Sequence, residues 1–115
     1  METETLTQTF RKQIVQRITR NFLDVLILRL VQREPMWGYK IMKKTERLFG
    51  MKIRHGALYP LLNSMEAKGY VRSKRTTKGG RVRKVYEITS KGIQLLGAYN
   101  EFLKEQLEGL DIKEV

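Results

Sequence analysis

At 115 residues the chain is sized for one domain, and 23 Lys and Arg against 12 Asp and Glu give a net charge of +11 and a pI near 10.1. That balance points to polyanionic partners, nucleic acid first and an anionic membrane surface second. The absence of cysteine excludes a disulfide framework and a thiolate metal site, and neither a secretory leader at METETLTQTF nor an 18-residue apolar run is visible. The expectation is a cytoplasmic protein. Residues 1–86 hold 20 basic and 6 acidic side chains, whereas 87–115 hold 3 and 6. One part of the molecule is therefore built to face a polyanion and the tail is not.

From Thr5 to Arg20, Leu6, Phe10, Ile14 and Ile18 step by four and form one drifting helical stripe, with Arg11, Lys12, Arg17 and Arg20 off it. Asn21 has the side chain of an N-cap for the next helix. The run NFLDVLILRLV (21–31) is almost wholly apolar, which predicts a central, buried helix ended by Pro35. A further helix is expected over WGYKIMKKTERLFG (37–50), with Tyr39, Ile41 or Met42, Thr45, Leu48 and Phe49 near helical spacing and Gly50 as its C-cap.

MKI (51–53) reads as a short strand. The next helix ends at Gly69 and turns Leu58, Leu61, Leu62 and Met65 to one face. Pro60 is tolerated in a first turn, which places the helix start near 57–59. YVRSKRT (70–76) and VRKVYEIT (82–89) alternate charge with β-branched or aromatic residues, and TKGG between them suits a hairpin link. The last segment is capped by Thr89 or Ser90. It carries Ile93, Leu96, Tyr99 or Asn100, Leu103, Leu107 and Leu110 on a stripe that Leu95 and Phe102 widen.

Helices followed by a hairpin give the order of a winged helix–turn–helix, a mainly α fold with a small β-hairpin. The helix over 56–68 leaves Arg54, His55, Ala57, Tyr59 and Asn63 on or near its outward, N-terminal side. A major groove admits one helix, and recognition helices read bases with their N-terminal residues. Ala57 suits a thymine methyl, Asn63 an adenine edge, and Arg54 a guanine or a phosphate. Tyr59 is equally suited to the edge of the core or to a phosphate contact. In the hairpin, Lys74, Arg75, Arg81, Arg83 and Lys84 are placed to release counterions from phosphates, and Lys78 with Gly79-Gly80 makes a tip slim enough for a minor groove.

The stretches LDVLILRL (23–30), GYKI (38–41), GALYPLLNSMEAKGYV (56–71) and RKVYEITSKG (83–92) resemble the PadR-type transcriptional regulators in order and spacing, over most of residues 22–92. The phrase Gly56-x-Leu58-Tyr59-Pro60-Leu61-Leu62 with Gly69 is its most specific part. The resemblance implies a homodimeric transcription factor of the compact branch, with one C-terminal helix used in dimerisation, residues 56–68 in the major groove and a 73–84 wing beside the minor groove. Arg54-His55 and Ala57 stand where many relatives carry small or hydroxyl residues, so no base preference is carried over.

The expected organisation is an N-terminal helix at 1–20 contributing to a dimer, a winged helix–turn–helix at 21–89, and a dimerisation helix at 90–115. Phe10, Ile14, Leu96, Tyr99, Phe102, Leu103, Leu107 and Leu110 are the expected dimer contacts. The function expected is sequence-specific, double-stranded DNA-binding regulation, most simply repression, by a homodimer on a palindromic operator. The alternative is an architectural DNA binder of weak sequence preference. No Gly-rich phosphate loop, nucleophile–histidine pair or acidic cluster supports an enzyme, and a lone His55 supports no metal site. No cofactor and no membrane partner are expected. A small hydrophobic effector would sit between the dimer-forming helices near Phe10, Leu96, Tyr99 or Trp37.

Overall fold

The computed structural model describes residues 4–109. Its centre is a helix, α2 (Leu23–Arg33), in which Val25, Leu26, Ile27, Leu28, Leu30 and Val31 are all buried. Only Arg29, Gln32 and Arg33 are exposed along it, so most of its circumference has to be covered by other elements. It is preceded by α1 (Leu6–Asn21), packs on α3 (Gly38–Phe49) and α4 (His55–Ala67), and is closed over by α5 (Ser90–Glu108) and by the hairpin strands β2 (Val71–Lys78) and β3 (Arg81–Ile88). Between α2 and α3 a two-residue strand, β1 (Met36–Trp37), completes a three-stranded antiparallel sheet of order β1-β3-β2.

The short strand outside the hairpin lies at Met36–Trp37 and not at the expected 51–53. Residues 51–53 form no strand, and Ile53 contributes only a buried anchor. Pro35 holds Glu34 extended (φ −160°, ψ 149°), so the chain leaves α2 already in strand geometry and pairs Met36 with Tyr86 and Trp37 with Val85.

α1 starts in a capping box in which the Thr5 hydroxyl accepts from the Gln8 amide and the Gln8 side chain accepts from the Thr5 amide. Asn21 is the last residue of α1 rather than a cap for α2, because its side-chain amide donates back to the Arg17 carbonyl at 2.9 Å. Phe22 alone joins the two helices. In α3 the buried face is Gly38, Ile41, Met42 and Thr45, while Tyr39 and Leu48, expected on that face, are exposed. Gly50 closes α3 in the left-handed region at φ 67°, as its type predicts.

α4 begins about two residues earlier than expected, which puts Pro60 in its second turn. The missing Pro60 amide would have served the Gly56 carbonyl, and Gly56 is exposed, so water can satisfy it. The helix ends in a Schellman pattern: Gly69 (φ 83°) donates to Glu66 and Tyr70 to Met65, both at 2.9 Å.

The start of α5 is locked to that same corner. The Thr89 hydroxyl accepts from the Gly92 amide and lies within hydrogen-bond reach of the Gly69 and Tyr70 carbonyls, at 2.6 and 3.0 Å. The Lys91 ammonium donates to the Lys68 carbonyl at 2.8 Å. A Cβ on Gly92 would stand 2.2 Å from the Tyr70 carbonyl oxygen, so only glycine permits this approach. One turn later Leu96 is buried within the core of the chain. Its spacing had counted it with the dimer stripe, but α5 turns Leu96 onto α2 and leaves Phe102, Leu103 and Leu107 exposed.

Candidate nucleic-acid interface

α4 presents a sharp division. Leu58, Leu62 and Met65 are buried, whereas Arg54, His55, Ala57 and Asn63 are exposed. Tyr59 belongs to both sides. Its ring stacks on His55 at a centroid distance of 5.7 Å and 10° between planes, and its other edge meets the backbone of Gly38, where a Cβ would lie 2.7 Å from the phenolic oxygen. Tyr59 is thus a wedge that sets the N-termini of α3 and α4 against each other. The caps Trp37 and Arg54 supply no side-chain hydrogen bond, so the first amides of both helices are left to other partners, whereas Thr5 and Thr89 cap α1 and α5. Tyr39 and Lys43 on α3 were not among the expected contacts. Tyr39 is 44% exposed beside Trp37, with the Lys43 ammonium 5.5 Å from its ring centroid. The spacing had put Tyr39 on the apolar face of α3, and only its exposure in the fold shows otherwise.

The hairpin turns through Gly79 and Gly80, both with positive φ (60° and 78°), and its register runs from Lys78 opposite Arg81 back to Val71 opposite Ile88. Strand alternation then assigns faces. Val71, Ser73, Arg75, Thr77 and, across from them, Ile88, Tyr86, Lys84 and Val82 share one face. Buried Val71 and Tyr86 tie the base of that face to the core, and burial is the main cause that raises the Tyr86 phenol above its ordinary pKa of 10.0.

Beyond that base the charges are arranged against themselves. Arg75 stands opposite Lys84, and Lys78 opposite Arg81. Like charges directly across a strand pair destabilise the ribbon. Among the described residues, none of the four has a carboxylate partner. Two other expected contacts are already engaged. Lys74 lies 3.3 Å from Glu87, which also accepts from Arg72, and the Arg72 hydrogen bond is the main reason the Glu87 carboxyl is held below its ordinary 4.5. The Arg83 guanidinium stacks on Trp37 with its carbon 3.7 Å from the ring centroid.

The expected effector site is not assembled within one chain. Leu96 is consumed by the core, Arg83 covers Trp37, and Tyr99 packs edge-on against Phe22 at 5.8 Å. Among the expected dimer contacts, Phe10, Ile14, Phe102, Leu103 and Leu107 are exposed, and Leu110 lies outside the described residues.

Residues 27–98, from α2 into the first half of α5, match the Transcriptional regulator PadR-like family. The chain belongs to that family. The structure of this PadR-like chain superposes on a PadR-like transcription factor from Bacteroides fragilis with a TM-score of 0.73 at 25% identity, covering 86% of this chain and 96% of that one. It is also similar to a transcriptional regulator from Thermoplasma acidophilum (TM-score 0.71, 28% identity, 83% and 92% covered). In sequence it is 28% identical over 72 residues to the transcriptional activator GvpE1 of Halobacterium salinarum, matching 63% of this chain and 36% of that protein. The PadR-like chain therefore spans about a third of the length of that curated relative. The family it belongs to is one of transcriptional regulators. No helix among its described residues is long and apolar enough to cross a membrane.

Proposed function

We propose that this PadR-like regulator binds double-stranded DNA sequence-specifically as a homodimer on a palindromic operator, and represses by occupying it. α4 enters the major groove, with Arg54, His55, Ala57 and Asn63 facing base edges and backbone. The wing lies along the adjacent backbone through Arg75, Lys78, Gly79, Arg81 and Lys84. The observation that carries this reading is the pair of like-charged rungs, Arg75–Lys84 and Lys78–Arg81, with no carboxylate partner among the described residues. A polyanion removes the repulsion that the isolated ribbon bears, and the released counterions add to affinity.

The homodimer is supported by apolar surface that one chain leaves open. Leu6, Phe10, Ile14 and Ile18 on α1 are 45–68% exposed, and Phe102, Leu103 and Leu107 on α5 are 42–79% exposed. An open groove between α1 and the end of α3 is lined by Val15, Ile18, Leu48 and Phe49 together with Arg11 and with Lys12, which pairs with Glu4 at 2.6 Å. α5 carries Glu101, Glu105 and Glu108 beside its apolar stripe, so α5 of a second copy is complementary to α1 in both polarity and charge. Two-fold symmetry then repeats the recognition helix about one turn of DNA, roughly 34 Å, away.

Selection of bound duplexes from a random pool at near-physiological salt tests the reading. One enriched palindrome supports it, and uniform recovery favours a DNA-coating protein. With the selected site in hand, Asn63→Ala or Arg54→Ala should cost about 1–3 kcal/mol at particular base pairs and leave random duplex unaffected.

A further inference from the structure

His55 is the only histidine of the chain, and it is the first residue of α4. One helical turn on, Tyr59 lies alongside it, the two rings 10° from parallel with centroids 5.7 Å apart. Tyr59 is itself fixed from behind, because its phenol meets the backbone of Gly38, where a Cβ would stand 2.7 Å from the oxygen. Two successive contacts therefore set the plane of the imidazole, while the residue stays exposed at the N-terminal end of the helix.

Nothing in the fold supplies that ring with a counter-charge. α2, α3 and β2 pack on α4. α3 begins at the His55 end with Tyr39, Lys40 and Lys43, and the carboxylates near it are engaged, Glu34 by Lys40 at 2.7 Å and Glu46 by Lys43 at 3.7 Å. α2 carries Asp24, which accepts from the Val25 amide, together with Arg29 and Arg33. β2 leaves from the opposite end of α4, where Glu87 holds Arg72 and Lys74. Arg54 directly precedes His55, and among the described residues no carboxylate pairs with the imidazole. Negative charge for an imidazolium there has to come from outside the chain.

We infer that His55 is a specificity-determining residue that takes up a proton as α4 binds DNA and, as imidazolium, selects guanine. The inference rests on the DNA-binding reading above and gives one of its residues a pH-dependent task. Histidine is the side chain whose ordinary charge change falls between about pH 5 and 8. A neutral imidazole has one donor and one acceptor, whereas the imidazolium has two donors and no acceptor. In the major groove guanine shows two adjacent acceptors, N7 and O6, and no donor, while adenine and cytosine each show an amino donor that opposes the cation. Proton uptake therefore narrows a tolerant contact to a guanine contact, and the DNA supplies the negative charge that the chain does not. Tyr59 acts as a positioning residue for the ring.

Duplexes are selected from a random pool with the full chain at about pH 6 and about pH 8, on either side of ordinary histidine titration, at one salt concentration. Glu34 and Glu87 are held below their ordinary 4.5 and the Tyr86 phenol above its ordinary 10.0, so none of the three changes charge in that window. At one position of the bound site, guanine should be favoured over adenine by roughly three- to ten-fold more at the lower pH than at the higher. His55→Gln keeps a donor and an acceptor but does not titrate, and should show the same base preference at both. Circular dichroism of the variant reports the fold, which an exposed side chain leaves intact. Identical wild-type preferences at the two pH values overturn the inference and leave DNA binding standing. So does a gain on acidification that is equal for every duplex, or a pH difference that survives in His55→Gln. Recovery of no duplex at either pH overturns the DNA-binding reading along with it.

Discussion

Arg83 of the wing lies flat over Trp37 of the short strand, its guanidinium carbon 3.7 Å from the centre of the indole. The contact fastens the middle of β3 to the residue that caps α3. It gives one cation of the basic hairpin a structural task. Arg83→Ala should lower stability by about 0.5–2 kcal/mol and shift the emission of Trp37, the only tryptophan, in urea titrations followed by fluorescence. Arg75→Ala should reduce the salt dependence of DNA binding by more than Arg83→Ala does.

Changing Lys74, Arg75 and Lys78 together to Ala should weaken binding to all duplexes and flatten its salt dependence. Each lost phosphate contact lowers the log–log slope by about 0.9. Because Lys74 is partly neutralised by Glu87 at 3.3 Å, the loss should correspond to about two contacts and not three. An unchanged slope in titrations across salt concentrations would remove the wing from the DNA surface.

Glu87 is a brake on that surface with a definite pH signature. Its folded carboxyl is held below the ordinary 4.5 by the Arg72 hydrogen bond and then by Lys74, so the stabilisation it contributes is present above 4.5 and disappears as pH falls through the depressed folded value. Glu87→Gln should remove this part of the acid-side loss. At neutral pH it should also free Arg72 and Lys74 and steepen the salt dependence of DNA binding. Thermal melts between pH 3 and 7 and a salt titration check the two halves separately.

Gly92→Ala should destabilise by about 1–3 kcal/mol or more, because the new methyl would meet the Tyr70 carbonyl oxygen, a backbone atom fixed by the Schellman corner and by Thr89. Gly97→Ala, in the same helix with nothing within 4 Å, should instead be neutral or stabilising by up to about 1 kcal/mol. Urea midpoints for the two variants should therefore move in opposite directions or differ by most of the first effect.

Leu103→Asp with Leu107→Asp should yield a monomer that keeps its helical circular dichroism and binds DNA far more weakly. The core of the protomer does not use either side chain, since they are 42% and 79% exposed, so folding is spared. Sedimentation of the wild type as a monomer at micromolar concentration would sink the dimer.

Local chemistry made much of this protein legible without coordinates. The apolar run of α2, the Gly50 and Gly69 stops, the threonine cap of α5 and the hairpin around Gly79-Gly80 each follow from a steric or hydrogen-bonding property that a residue carries wherever it sits. The family phrases around Gly56–Leu62 and Tyr86–Gly92 were legible for the same reason, since they encode a corner built from neighbouring residues. Tertiary structure decided what depended on a distant partner. Residues 51–53 and 36–37 have similar strand character, and only the free edge of β3 selected Met36 and Trp37. The stripe on α5 reads as one face, yet its first half is buried by α2 at Leu96 and only the second half stays open, because spacing gives the direction of a side chain and not the extent of the surface opposite. The six cations of 74–84 look equivalent in the sequence, but register and reach made two of them structural: Lys74 through Glu87 and Arg83 through Trp37. Charge is a property of the residue, whereas its availability depends on what the fold brings within a few ångströms.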